Sequence, residues 1–229
     1  MNNWIRRFVA MALVAFGLGC CTPDPVPGAF NQLLRIDPAA APGRVPETVV
    51  LEVREIKRDE LTGTAAVILA YGAMGTKRIV LKINSGGGMV ADGIAFSQFI
   101  EGLPLPVICV VDRQAASMAV FVLEACDKRF IVAGGTIVAH EPQLVIDPEV
   151  PLNQRALEQK LALIKEIALL MSAVITARTT VTPEEYRWNL QETGIWEMSA
   201  DEALDLGFVD GVVDPLDVPA TTKLIEAVR

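Results

Sequence analysis

Histidine is the scarcest chemistry-bearing residue in this 229-residue chain: there is one, His140. Any mechanism that needs an imidazole base must use it, and a cage of several histidines around a metal is excluded. Four cysteines are too few for a disulfide scaffold over this length. No His, Cys and carboxylate cluster has metal-ligand spacing, so neither a metal nor a cofactor is expected. Basic residues are in deficit, 20 Lys and Arg against 28 Asp and Glu for a net charge of −8. That balance excludes nucleic-acid binding through a basic face. With 21% charged and 52% hydrophobic residues, the chain has enough apolar surface to bury one sizeable core and is not a disordered sequence. A membrane-spanning helix is the weaker reading of the N-terminus, where the apolar run of residues 8–19 would rise only about 18 Å against a hydrocarbon core of about 30 Å.

That run follows Arg6 and Arg7 and ends in Gly17-Leu18-Gly19-Cys20, the layout of a secretory signal. It resembles a bacterial lipoprotein signal, which implies removal of residues 1–19, lipidation of Cys20 and a membrane-anchored protein facing the periplasm or the cell exterior. Ordinary signal-peptidase cleavage near the same place is the alternative. Cleavage would leave 18 basic and 28 acidic residues, net −10. Residues 20–47 carry prolines at positions 23, 25, 27, 38, 42 and 46 and read as an extended tether. Residues 48–215 form the predicted domain, and 216–229 a C-terminal tail.

Within the domain, strand and helix patterns alternate. Short β-branched or apolar runs at 48–53, 78–84, 107–111, 129–133, 136–139 and 208–213 predict strands. Helical spacing predicts helices over 60–71, 89–101, 115–125 and 152–178. The last carries an apolar stripe of Leu157, Leu161, Ile164, Ala168, Met171 and Ile175, interrupted by Lys165 and Glu166, so it is amphipathic. Thr182-Pro183-Glu184-Glu185 and Ser199-Ala200-Asp201-Glu202 are capping boxes that start two further helices. The alternation predicts an α/β fold with a largely parallel core sheet. Cys109 falls in a strand and Cys126 at a helix end; both read as small buried apolar residues, and spacing does not decide whether they pair.

Three segments carry chemistry. Ser85-Gly86-Gly87-Gly88 joins a strand to a helix, and its glycines let backbone amides approach a ligand. It does not fit G-x-G-x-x-G, and no Lys-Ser/Thr follows to make a phosphate loop. Of five serines, Ser85 and Ser117 lie at strand-to-helix turns, and Ser117 opens its helix, where the amides favour a developing negative charge. A helix cap is the competing reading of Ser117, and a structural role that of His140. His140 ends a strand 23 residues later and is the sole histidine able to serve Ser117 as general base.

Together, Asn84-Ser85-Gly86-Gly87-Gly88, Gln114-Ala115-Ala116-Ser117-Met118, Lys128-Arg129-Phe130, His140-Glu141-Pro142 and Met198-Ser199-Ala200-Asp201-Glu202-Ala203 resemble the signature segments of the Clp protease proteolytic subunit (ClpP), in order and near its spacing. The resemblance implies the ClpP/crotonase fold, with repeated β-β-α units and the 152–178 helix as the handle that joins oligomeric rings. It implies a serine endopeptidase acting on peptides or unfolded protein, with Ser117 as nucleophile and His140 as general base. Gly88 and Met118 amides would form the oxyanion hole, shaped by Gly87.

The pattern departs from the family in four places. The family's catalytic Asp falls at Gly194 or Ile195, leaving Glu192 as the nearest candidate to orient His140. Gly86 replaces a proline. The Gly-rich stretch after His-Gln-Pro is replaced by residues 143–150. An export signal would place the domain where there is no ATP, so no ATP-dependent unfoldase partner is expected. The alternatives are a catalytically impaired ClpP-fold lipoprotein acting as a binding or assembly module, and an acyl-CoA enzyme of the related crotonase fold. The chain is short for the latter and lacks its usual CoA-site pattern.

Overall fold

The computed structural model describes residues 45–144 and 153–214. The signal segment with Cys20, nearly all of the tether, most of the 143–150 stretch and the C-terminal tail lie outside the described residues. In chain order the elements are β1 (Thr48–Val53), α1 (Arg58–Met74), β2 (Arg78–Ser85), α2 (Val90–Glu101), β3 (Val107–Ala116), α3 (Met118–Glu124), β4 (Lys128–Val132) and β5 (Thr136–His140). They continue with α4 (Gln154–Thr176), α5 (Pro183–Thr193), β6 (Ile195–Ser199), α6 (Ala200–Asp205) and β7 (Gly211–Val213).

The strands form one seven-stranded sheet in the order β1-β2-β3-β4-β7, with β5 branching from the end of β3 and β6 pairing β5. Every pairing is parallel except β5 with β6. The central strands β2, β3 and β4 are almost continuously apolar because both of their faces are buried, whereas β1 and β5 alternate between buried and half-buried positions. Leu81, Ile83, Cys109, Val111 and Ile131 enter the main core. Their neighbours Val80, Ile108, Val110, Phe130 and Val132 form a smaller cluster, the alternation that a pleated strand imposes. Helix α3 is buried along its whole length and is held against β3 at the centre of the domain.

Both predicted capping boxes close with reciprocal bonds: Thr182 and Glu185 start α5, and Ser199 and Glu202 start α6. Asn153 caps α4 by accepting from the Ala156 amide. The apolar stripe of α4 divides in two. Met171 and Ile175 are buried, whereas Leu157 and Leu161 are 53% and 52% exposed.

The structure corrects three expectations. Strand β3 continues through Asp112-Arg113-Gln114 to Ala116, because Gln114, Ala115 and Ala116 pair with Thr136, Ile137 and Val138 of β5; the helix begins at Met118 and not near 115. Residues 195–199, for which no strand was predicted, form β6 through their pairing with β5. The run 208–213, expected as one strand, is a strand only over Gly211–Val213. Cys109 and Cys126 are buried as expected, and a disulfide joins them, a pairing that spacing left open, with Cα atoms 5.9 Å apart.

Candidate active site

The carboxyl ends of three parallel strands carry the predicted site: β2 ends at Ser85, β3 at Ala116 and β5 at His140. Ser117 occupies the single residue between β3 and α3, with φ 54° and ψ −124°. It is the sole non-glycine at positive φ among the described residues. Such a backbone costs about 1–3 kcal/mol and persists only where the surroundings impose it. Here the Ser117 amide donates to the Val138 carbonyl at 2.8 Å, and the Val120 amide donates to the Ser117 carbonyl at 3.0 Å. The hydroxyl makes no cap bond to the helix. Ser117 therefore stands on a sharp strand-to-helix turn with its hydroxyl unspent on capping, the arrangement of a nucleophile elbow.

The glycine turn packs directly on this serine. A Cβ at Gly87, whose φ is +96°, would lie 2.7 Å from the Ser117 Cβ, 2.8 Å from the Ala116 carbonyl oxygen and 3.2 Å from the Met118 nitrogen. A Cβ at Gly88 would lie 2.2 Å from the Ile56 carbonyl oxygen. The turn is pinned from both sides. The Gly87 amide donates to Ser85 Oγ at 3.1 Å. Ile56 donates to the Gly87 carbonyl at 3.0 Å and accepts from the Met89 amide at 2.7 Å. Met118, the first residue of α3, has an amide with no intrahelical acceptor.

Because Ala116 pairs with Val138, His140 lies two residues beyond the register partner of the residue before Ser117. Its Nδ1–H donates to the Glu141 carbonyl at 2.6 Å, which leaves Nε2 as the lone-pair nitrogen of the neutral ring. Across β5 and β6, His140 pairs with Ile195, one of the two positions, Gly194 and Ile195, at which the resemblance places the family's Asp. Glu192 falls in the last turn of α5; its side chain lies outside the described residues. A pocket of about 300 Å³ opens beside His140, lined by Pro142, Leu169, Met171, Tyr186 and Leu190 among others.

Sequence reasoning missed a buried ionic network at the far end of α3. Arg129 donates to Glu124 Oε2 at 2.5 Å and to Asp210 Oδ1 at 3.0 Å. Arg178 donates to the Glu124 carbonyl and, at 2.8 Å, to the Cys126 carbonyl. Burial pushes the Glu124 carboxyl up to about 7, against the attraction of Arg129 and Arg178. Its Oε1 finds no partner among the described residues. Asp210 moves the other way: although burial raises it, the Arg129 bonds and charge hold it below the ordinary value. Nothing in the sequence pairs residues 81 positions apart; only the K-R-F segment marked Arg129. Among the described residues, no group of three or more His, Cys, Asp or Glu is placed to hold a metal ion.

A parallel α/β sheet that carries a serine elbow, a glycine turn and a histidine on adjacent strand ends defines the class of this chain. The model of the Clp protease family matches residues 46–215. The chain is 30% identical over 200 residues to the ATP-dependent Clp protease proteolytic subunit 2 of Bifidobacterium longum, covering 84% of this chain and 86% of that protein. It is 32% identical over 143 residues to the proteolytic subunit 1 of Chlamydia pneumoniae, covering 60% of this chain and 71% of that one. Among solved structures, a mutant ClpP1 from Listeria monocytogenes superposes with a TM-score of 0.56 at 20% identity, covering 73% of this chain and 91% of the other. The chain belongs to the Clp protease family, and its fold is that of ClpP.

Proposed function

We propose that this chain is an exported serine endopeptidase that cleaves peptide bonds through an acyl-enzyme on Ser117. The observation that carries the reading is the strained Ser117 elbow, seated on Gly87 and hydrogen-bonded to the strand that ends in His140. His140 Nε2 takes the hydroxyl proton as Ser117 Oγ attacks the peptide carbonyl carbon. The oxyanion is received by the Gly88 and Met118 amides. His140 returns the proton to the leaving amine as the C–N bond breaks. Water, deprotonated by the same nitrogen, then cleaves the ester and restores the serine.

The group that orients His140 is the Glu141 carbonyl in this reading, with Glu192 the alternative. The two separate cleanly: Glu192→Gln slows the reaction strongly if its carboxylate orients His140 and leaves it unchanged if the carbonyl does. A second reading, a catalytically impaired binding or assembly module, draws on Gly194 and Ile195, neither of them a carboxylate, standing where the resemblance places the family's Asp. Losing an orienting carboxylate costs about 10⁴ in rate in well-studied triads. The exposed Leu157 and Leu161 on α4 support self-association through that helix. Export and lipid anchoring rest on the signal-like segment and Cys20; palmitate labelling lost in Cys20→Ser tests them. Outside the cytoplasm the enzyme would work without ATP. A fluorophosphonate probe decides the catalytic reading: wild type labels and Ser117→Ala does not. Absence of labelling in wild type leaves the binding module.

A further inference from the structure

We infer that the Cys109–Cys126 disulfide positions the nucleophile, clamping shut the strand-turn-helix segment that presents Ser117. The bond spans 17 residues, and Ser117 sits close to the middle of that span. Cys109 lies within β3, the strand that delivers the serine. Cys126 follows the end of α3, the helix that leads the chain away. A strained backbone holds its geometry only when both flanks are fixed, and the disulfide fixes both with one covalent bond. The Cα separation of 5.9 Å is near the commonest value for a disulfide.

The surroundings carry the same restraint further. Cys126 is held through its carbonyl by Arg178 at 2.8 Å, and the neighbouring Glu124 by Arg129. Cys109 is in register with Leu81 of β2 and Arg129 of β4. Both cysteines are fully buried, so solvent reductants reach the bond only when the segment opens. The bond therefore acts as a permanent clamp rather than a reversible switch, and forms only in an oxidising compartment. This ties the positioning of Ser117 to the export proposed above. The catalytic part of the inference rests on the peptidase reading; the clamp does not.

The test uses the full chain purified from the exported fraction of its host. Peptide mapping without reductant finds Cys109 and Cys126 in one linked species; two free thiols there overturn the inference. Three proteins are then compared: wild type, Cys109→Ala/Cys126→Ala, and Cys109→Val/Cys126→Ala, the last refilling the space without the bond. Loss of the cross-link shifts the folding equilibrium by about 100-fold and lowers the thermal midpoint by about 6–12 °C. Hydrogen exchange supplies a readout that needs no activity. In both variants, amides of 117–124 gain at least about 10-fold in exchange rate relative to those of β1 and β2, over and above the acceleration that the lower global stability gives every amide. Uniform acceleration across the domain, or full recovery in the refilled variant, shows packing or global stability at work and overturns the clamp. Fluorophosphonate labelling of Ser117 slows at least about 10-fold in both variants under conditions where they are folded. If wild type itself fails to label, the peptidase reading falls, and mapping with exchange still judge the clamp.

Discussion

Gly87→Ala separates the two jobs of the glycine turn. At φ +96° an L side chain pays about 1–2 kcal/mol in backbone energy. The new methyl would also lie 2.7 Å from the Ser117 Cβ and 2.8 Å from the Ala116 carbonyl oxygen. Neither atom yields easily, since Ala116 is paired with Val138 and the Ser117 amide is bonded to the Val138 carbonyl. Overpacking of this kind adds about 1–3 kcal/mol, so the total destabilisation is about 2–5 kcal/mol. Displacing Met118, whose nitrogen is 3.2 Å from the same methyl position, disturbs the proposed oxyanion donor and, on that reading, costs about 10²–10³ in rate. The control is Gly86→Ala one residue earlier. A Cβ there meets nothing within 4 Å and the backbone needs no positive φ, so the change is neutral or stabilises by about 0.4–1 kcal/mol. Urea unfolding and the second-order rate of fluorophosphonate labelling measure both effects. Labelling of Gly87→Ala within about threefold of wild type, or equal damage in both variants, refutes the placement of the oxyanion hole against Gly87.

Two further outcomes follow from the geometry. Ser117→Gly relieves the φ of 54° and, after the entropic penalty of glycine in the unfolded chain, is expected to exceed Ser117→Ala in stability by about 1 kcal/mol; neither labels, and a Gly variant below the Ala variant in chemical denaturation disproves the strain. Glu124 binds its proton up to about 7 when folded but only to the ordinary carboxyl value when unfolded. Its contribution is therefore full below pH about 4.5 and is lost as pH rises through about 7. Glu124→Gln keeps the neutral form, so wild type should lose midpoint relative to it between pH 5 and 8. Parallel pH profiles for the two proteins contradict the raised carboxyl.

Much of the fold was legible because its signals are local. Strand β1 runs from Thr48 to Val53 as the β-branched run predicts, and the Thr182 and Ser199 boxes mark helix starts to the residue. Apolar runs identify the central parallel strands β2, β3 and β4 because these are buried on both faces. What escaped depends on partners remote in sequence. Asp112-Arg113-Gln114 reads as a polar break, yet β5 lies alongside and extends the ladder. Ile195–Ser199 has weak strand character, and its pairing with β5 makes it a strand.

The candidate site divides in the same way. Each motif alone leaves a structural reading open; it is the resemblance of five ordered segments that points to Ser117, His140 and the glycines as candidates. Only the folded chain decides that Gly87 abuts Ser117, that the serine is strained and that the His140 Nδ1–H bonds the Glu141 carbonyl. The Cys109–Cys126 bond and the Glu124–Arg129–Asp210 network belong to the fold as well. The reason is physical: side-chain type and local backbone preference are written residue by residue, whereas proximity between distant segments exists only once the sheet has set its register.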